Sequence, residues 1–203
     1  QRRQFMDWLV FHVERDFFPA WQLCQQSLKQ RNSLLRRAKI DPIELKVWNT
    51  SIIQTAQKLD LYREKITVKF VKVFRDLMSE FIDISNIKIQ YFCGWDKKVD
   101  YSEVLERSLD RDIQLGYTTK GPHRADLKIT VDGISAAEVL SRGQQKLLVC
   151  ALRIAQGQLF RAHTGVSCLY LVDDLPAELD AGKRRVLAKW LSSMNAQVFV
   201  TGV

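Results

Sequence analysis

Apolar residues in the first part of the chain recur at the spacing of an α-helix. From residue 17 to residue 35 they lie four, three, four and seven positions apart, at Phe17, Trp21, Cys24, Leu28 and Leu35. Such steps place the side chains on one face of a helix. From residue 45 to residue 81 the steps are again three, four or seven, at Leu45, Trp48, Ile52, Leu59, Tyr62, Ile66, Phe70, Val73, Leu77 and Phe81. The two series predict a helical hairpin over residues 17–82.

The second helix of this hairpin has a clear start and no internal stop. Asp41 is a favourable cap, Pro42 suits the first helical position, and Glu44 completes a capping box. No glycine or further proline occurs before Gly94, so the helix can extend for about 40 residues, roughly 60 Å. A helix of this length is typical of an arm or a coiled coil.

Residues 86–134 combine strand and helix periods. A first strand is indicated by alternating Ile87, Ile89 and Tyr91, and a second by alternating Leu127, Ile129 and Val131 before Asp132-Gly133. Between them, one helical face is indicated by Val104, Leu105, Leu109 and Ile113. The segment 121–126 is rich in turn residues and predicts a loop.

Short, solidly apolar strands alternate with helices in the last part of the chain. The expected elements are a helix from Ser141 to about Phe160, a strand over Cys168–Val172, a helix from about Gly182 to Met194, and a strand over Gln197–Val200. Strands of this kind are typical of a buried parallel sheet. The predicted fold class is mixed α and β, with a helical arm over residues 1–85 and an α/β part over residues 86–203.

The charge balance favours a polyanionic partner without identifying it, since the net charge is +8 and the pI is about 9.4. One basic cluster lies near the end of the first hairpin helix and contains no acidic residue: Lys29, Arg31, Arg36, Arg37 and Lys39. Two interpretations of this cluster remain open. It is either a solvated helix end that complements the helix dipole or a surface that binds nucleic-acid phosphates.

Cysteine and histidine usage narrows the class of protein. The four cysteines are scattered and form no C-x-x-C pair, which predicts reduced thiols in a cytoplasmic protein. The three histidines lie far apart, with no cysteine or carboxylate at ligand spacing, which argues against a zinc site. No apolar run approaches the roughly 20 residues needed to cross a bilayer.

Ser141 followed by Gln144 forms an S-x-x-Q capping box at the start of a helix. The simplest interpretation is a well-formed helix terminus. The same geometry also suits phosphate binding, because unpaired N–H groups, a hydroxyl and Gly143 lie together at the positive end of the helix dipole. Both interpretations remain open for this motif alone.

Asp173 and Asp174 follow the apolar strand Cys168–Val172. Many buried strands end in an aspartate at a turn, so a structural role is one interpretation. Paired carboxylates also suit phosphoryl-transfer chemistry, with Asp173 holding a magnesium ion and Asp174 orienting or deprotonating the attacking water.

The order of these motifs resembles that of an ABC-type ATPase head. A signature-like helix start at 140–144 is followed by an apolar strand, Asp173-Asp174 and a Glu178-Leu179-Asp180 turn. Segments 121–127 (GPHRADL), 140–148 (LSRGQQKLL) and 171–180, together with the opening segment 2–8, are similar to the bacterial RecF family of SMC- and Rad50-like ATPases. The resemblance extends over nearly all 203 residues.

This resemblance implies ATP and magnesium as cofactors, and duplex DNA and the proteins RecR, RecO and RecA as partners. It implies that Ser141, Arg142, Gly143 and Gln144 face the γ-phosphate of ATP held by a second copy in a homodimer. Asp173 and Asp174 would act on magnesium and water, Asp180 would lie at the dimer seam, and Thr201 occupies the place where many ABC heads have a histidine. The shorter Asp174 in place of glutamate, without that histidine, suggests slow hydrolysis. The hairpin would be a short arm that carries the DNA-binding cluster.

The sequence contains no G-x-x-x-x-G-K-[ST] phosphate loop. We therefore expect a fragment that lacks the amino-terminal lobe and neither binds ATP tightly nor hydrolyses it alone. Two alternatives remain: a head fragment of another SMC- or Rad50-like protein, and a non-enzymatic module that binds DNA or RecR.

Overall fold

Helices dominate the computed structural model, which describes residues 2–79, 86–173, 179, 181–194 and 196–201. The helices are α1 Arg2–Val13, α2 Phe17–Leu35, α3 Pro42–Ser79, α4 Tyr101–Arg107, α5 Leu109–Leu115, α6 Ala136–Val139, α7 Arg142–Thr164 and α8 Ala181–Ser193, with one 3-10 turn at Pro122–Arg124. The strands are β1 Ile87–Phe92, β2 Asp126–Val131, β3 Ile134–Ser135, β4 Tyr170–Val172 and β5 Val198–Val200. The mixed α and β class is confirmed.

The chain divides into two compact units. The first unit contains Gln1–Thr67 and Gln90–Lys128, and the second contains Val68–Ile89 and Ile129–Val203. Helix α3 contributes its first part to the first unit and its last part to the second. The division into an arm over residues 1–85 and an α/β part over residues 86–203 stays a prediction.

The two long helices of the predicted hairpin are confirmed. Helix α3 has 38 residues, about 57 Å at the usual rise. Asp41 caps its start, since Oδ1 accepts a hydrogen bond from the Ile43 amide at 2.8 Å. The Glu44 carboxylate accepts from Arg37 Nη1 at 2.9 Å. Phe81, at the end of the predicted apolar series, lies outside the described residues.

The first unit has a closely packed core. It combines apolar side chains from α1, α2, α3 and α4 that are almost fully buried: Val10, Phe17, Cys24, Leu34, Ile52, Leu59, Ile66 and Leu105. Burying side chains of this size stabilises a fold by about 1.5–3 kcal/mol each. The apolar series in the sequence therefore identified the packing face of both long helices.

The helix expected across Val104 to Ile113 is interrupted. Helix α4 ends and α5 begins at Ser108, whose hydroxyl donates to the Leu105 carbonyl at 3.3 Å. Serine competes with the backbone for hydrogen bonds in this way, which weakens a helix interior. The prediction of a single helix across this segment was wrong.

Two small sheets are present among the described residues. Strands β1, β2 and β3 form one sheet in that order. Strands β2 and β3 are antiparallel, with Val131 opposite Ile134, so Asp132 and Gly133 make a two-residue turn. Both have positive φ, 50° and 85°, as a type I′ hairpin requires. The predicted end of β2 at Asp132-Gly133 is confirmed.

Strands β4 and β5 form a parallel pair, as the apolar pattern predicted. The expectation that they are buried was wrong, because Leu171 is 75% exposed and Phe199 is 55% exposed on one face, and Val200 on the other face is 50% exposed. Helix α7 packs closely against the strand through Gly157, where an added Cβ would lie 1.8 Å from the Tyr170 hydroxyl oxygen. An apolar run predicts that both faces of a strand will be covered, and the structure shows that this run is covered incompletely.

Candidate functional site

The predicted capping box at the start of α7 is confirmed. Ser141 has φ −61° and ψ 160°, and its Oγ accepts from the Gln144 amide at 3.3 Å. In return, the Ser141 amide donates to Gln144 Oε1 at 2.9 Å. Ser141 and Arg142 are exposed, while Gly143 and Gln144 are half-buried. The serine oxygen serves as acceptor in the cap, so its O–H group keeps the capacity to donate to a ligand.

Gln145 stabilises the segment that leads into α7, a role that the sequence did not indicate. Its Nε2 donates to the carbonyls of Ala137 at 3.0 Å and Leu140 at 2.8 Å. These bonds tie the short helix α6 to the start of α7. A glutamine one position after a capping box is the only sequence signal for this role, and it is weak.

Asp173 lies directly after β4 and is exposed. Its Oδ1 accepts a hydrogen bond from Thr201 Oγ1 at 2.5 Å. The Thr201 amide in turn donates to the Val172 carbonyl at 2.9 Å. The structure thus brings together two residues that the sequence had assigned to separate motifs. Asp174 and Asp180, the other predicted acidic residues of the site, lie outside the described residues.

A magnesium ion is compatible with this donor set. Magnesium is commonly held by one or two carboxylates together with water and substrate phosphates, and the exposed Asp173 supplies one carboxylate. Within the described ranges, no three His, Cys, Asp or Glu side chains are grouped to hold a metal ion by themselves. Asp173 would hold magnesium together with further ligands such as water or nucleotide phosphates.

The prediction for the basic cluster at the end of α2 and just after it requires one correction. Arg31 was predicted to contact DNA, but its side chain is fully buried beside Asp112, with both side chains 0% exposed. Its Nη1 donates to Asp112 Oδ2 and to Thr118 Oγ1, each at 2.8 Å. The sequence carried a signal for this burial. Arg31 lies three positions after Leu28 and four before Leu35, on the apolar face of α2.

The other four residues of that cluster are exposed: Lys29, Arg36, Arg37 and Lys39. Arg36 Nε donates to the Gly116 carbonyl at 3.0 Å, which anchors the end of α2 on the turn after α5. Arg37 pairs with Glu44 at 2.9 Å. Exposed pairs of this kind are weak, so these side chains remain accessible to a polyanion.

A second buried arginine was missed by the sequence reasoning. Arg63 makes two hydrogen bonds to the Asp7 carboxylate, at 2.8 and 2.9 Å. Its Nη1 donates to the Pro122 carbonyl at 2.8 Å. Arg63 thus holds the turn at 121–124 against α1 and α3. Its position four residues after Leu59 and three before Ile66 placed it on a buried face, which is the signal that could have found it.

The turn held by Arg63 is tightly built. Gly121 has φ 137°, and an added Cβ there would lie 2.1 Å from the Tyr101 hydroxyl oxygen. His123 Nε2 bonds to the Thr118 carbonyl at 2.8 Å, so this nitrogen carries the proton. Burial lowers the pKa of His123 to about 4, which keeps the ring neutral near pH 7.

All four cysteines are free thiols. No helix within the described part of the chain is long and apolar enough to cross a membrane.

Comparison with known proteins identifies one family. The RecF/RecN/SMC N terminal domain matches residues 22–203. The DNA replication and repair protein RecF of Cellvibrio japonicus is 55% identical over 202 residues, which cover 100% of this chain and 55% of that protein. RecF of Pseudomonas aeruginosa strain LESB58 is 48% identical with the same coverage. The chain therefore spans about half the length of the curated relatives it matches.

The fold agrees with a solved structure of the same type. The recombination mediator protein RecF-ATP of the RecFOR pathway superposes with a TM-score of 0.85 at 21% identity, covering 100% of this chain and 57% of that chain. The complex described as RecF-ATPrS gives a TM-score of 0.84. At this level of identity the superposition establishes the fold. The resemblance to RecF suggested by the sequence motifs is confirmed.

Proposed function

Because the chain belongs to the RecF/RecN/SMC N terminal domain family, we propose that it forms the second half of a RecF-type, ATP-driven DNA-binding switch. The observation that carries this proposal is the exposed, capped start of α7 at Ser141. It presents backbone N–H groups and a hydroxyl at the positive end of a 23-residue helix. A phosphate group is the ligand that such a terminus favours.

In this proposal the nucleotide lies between two copies of the protein. Ser141, Arg142, Gly143 and Gln144 of one copy would face the γ-phosphate, while the phosphate-binding loop would come from a part of the full-length partner copy that this sequence does not contain. ATP then favours the dimer because it has partners on both sides only in that state. Asp180 would lie at the seam between the copies.

The paired carboxylates would act within one copy. Asp173 would hold magnesium, which when bound neutralises charge on the phosphates, and Asp174 would orient or deprotonate the attacking water. Aspartate is one methylene shorter than glutamate at this position. Thr201 stands in place of a histidine. We therefore propose that ATP hydrolysis is slow and sets the lifetime of the dimer.

The DNA partner would be duplex DNA, contacted through phosphates. Lys29, Arg36, Arg37 and Lys39 are exposed on and after α2 and carry charge that would displace counterions. No recognition element for base edges is indicated among the described residues, so little sequence specificity is expected. In this role the protein would act in the cytoplasm with RecR and RecO to place RecA at gaps in damaged DNA.

The test uses a protein that contains this sequence and has the full length of the RecF relatives. With ATP and magnesium it should sediment as a dimer and return to monomer as ATP is consumed. Asp174→Asn should slow hydrolysis by about a hundredfold or more and prolong the dimer. Asp110→Asn, which neutralises an exposed carboxylate on α5, is the matched control and should behave as wild type.

Two outcomes would count against the proposal. Unchanged hydrolysis in Asp174→Asn would remove the catalytic assignment. Dimerisation and DNA binding that are the same with and without ATP would instead support the alternative of a non-enzymatic module for DNA or RecR.

A further inference from the structure

We infer that Thr201 is a positioning residue for Asp173, holding one carboxylate oxygen so that the other would be available to magnesium at the proposed nucleotide site. This inference rests on the proposed function. The family resemblance gave Thr201 only the place where many ABC heads have a histidine, among the residues of the nucleotide site. The positioning role rests on the 2.5 Å hydrogen bond from Thr201 Oγ1 to Asp173 Oδ1.

The sheet register explains why these two residues meet. Strands β4 and β5 pair with Leu171 beside Phe199 and Val172 beside Val200. One step further places Asp173 beside Thr201, and the Thr201 amide continues the ladder by donating to the Val172 carbonyl at 2.9 Å. Because side chains alternate along a strand, Asp173 and Thr201 share the exposed face of Leu171 and Phe199.

A hydrogen bond that restricts the Asp173 carboxylate favours metal binding at an exposed strand end. Without a partner, an aspartate side chain there samples several rotamers and must be ordered when magnesium binds. A hydroxyl that donates to Oδ1 restricts those rotamers in advance and leaves Oδ2 as a ligand. The bond also couples the end of β5 to the end of β4.

The first experiment measures the contact itself in this chain, without nucleotide. Thermal unfolding is compared for wild type, Asp173→Ala, Thr201→Val and the double variant. Each single variant should lower the unfolding midpoint by about 1–4 °C. The double variant should lower it no further than the larger single change, because both remove the same bond. Additive shifts would overturn the inference.

The second experiment measures magnesium dependence in protein of the relatives' full length. Thr201→Val should raise the magnesium concentration for half-maximal ATP hydrolysis by about three- to tenfold, while Thr201→Ser, which keeps the hydroxyl, should restore it. Thr50→Val is the matched control. It removes a threonine hydroxyl that, within the described part of the chain, donates along its own helix to the Lys46 carbonyl.

The outcomes separate this inference from the proposed function. If wild type hydrolyses ATP with magnesium but Thr201→Val has an unchanged magnesium requirement, the positioning role is wrong and the proposed function stands. If wild type shows no magnesium-dependent hydrolysis, the proposed function fails. The unfolding experiment then still decides whether Thr201 holds Asp173.

Discussion

Replacing Arg31 with methionine should strongly destabilise the first unit, because it leaves the Asp112 carboxylate buried without its cation. Both side chains are 0% exposed. The Arg31 guanidinium also donates from Nε to Asn49 Oδ1 at 2.8 Å and from Nη1 to Thr118 Oγ1 at 2.8 Å. Methionine preserves much of the volume of the side chain and removes all of these bonds.

The size of the expected stability loss depends on the hydrogen bonds that the Asp112 carboxylate retains. Removing one partner of a buried ion pair costs about 3–5 kcal/mol. Asp112 Oδ1 still accepts from the Thr119 amide at 2.9 Å and the Thr119 hydroxyl at 2.6 Å, so the lower end, about 3 kcal/mol, is expected. For a chain of 203 residues that corresponds to a fall in Tm of about 6–12 °C.

The assay is urea and thermal unfolding followed by circular dichroism, with Arg37→Met as the matched control. Arg37 also pairs with a carboxylate, Glu44, but the side chains are 52% and 38% exposed, so the control should lose less than about 1 kcal/mol. Adding Asp112→Asn to Arg31→Met should recover part of the loss, because the buried charge disappears while an acceptor for Thr119 remains. An Arg31→Met loss no larger than that of the control would refute this reasoning.

Three further predictions concern other parts of the chain. Gly157→Ala should destabilise the second unit by about 1–3 kcal/mol in urea unfolding, since the new Cβ would lie 1.8 Å from the Tyr170 hydroxyl oxygen. Adding Tyr170→Phe should recover part of this loss. A double variant no more stable than Gly157→Ala would contradict the clash. The pKa of His123 is lowered to about 4 from 6.5. The neutral His123 ring therefore contributes to stability above pH 6.5, and this contribution is lost as pH falls towards 4. The free energy of unfolding in urea should vary less over this pH range in His123→Gln than in wild type. An equal pH dependence in the two proteins would contradict the role given to His123. In fluorescence-anisotropy titrations with duplex DNA, Lys29→Ala with Lys39→Ala should reduce the slope of log affinity against log salt by about 1.8; an unchanged slope would remove these lysines from the DNA surface.

Elements whose signals are local could be predicted from the amino-acid sequence alone. The apolar face of α2 and α3, the Asp41 cap, the Ser141–Gln144 capping box and the Asp132-Gly133 turn depend on residues within a few positions of one another. Helix periodicity, capping and turn chemistry operate at that range. The motifs also identified the family, because their order along the chain is itself a sequence property.

Features that depend on partners far away in the sequence became visible only in the folded chain. The partner of Arg31 is 81 residues away and that of Thr201 is 28 residues away. A charge pattern cannot distinguish a phosphate-binding arginine from one that is neutralised by such a partner in the core. Likewise, the apolar run at β4 predicted a parallel strand, but only the packing showed Leu171 exposed beside Asp173. Local hydrogen bonding sets the elements, while burial and charge pairing depend on which surfaces the folded chain brings together.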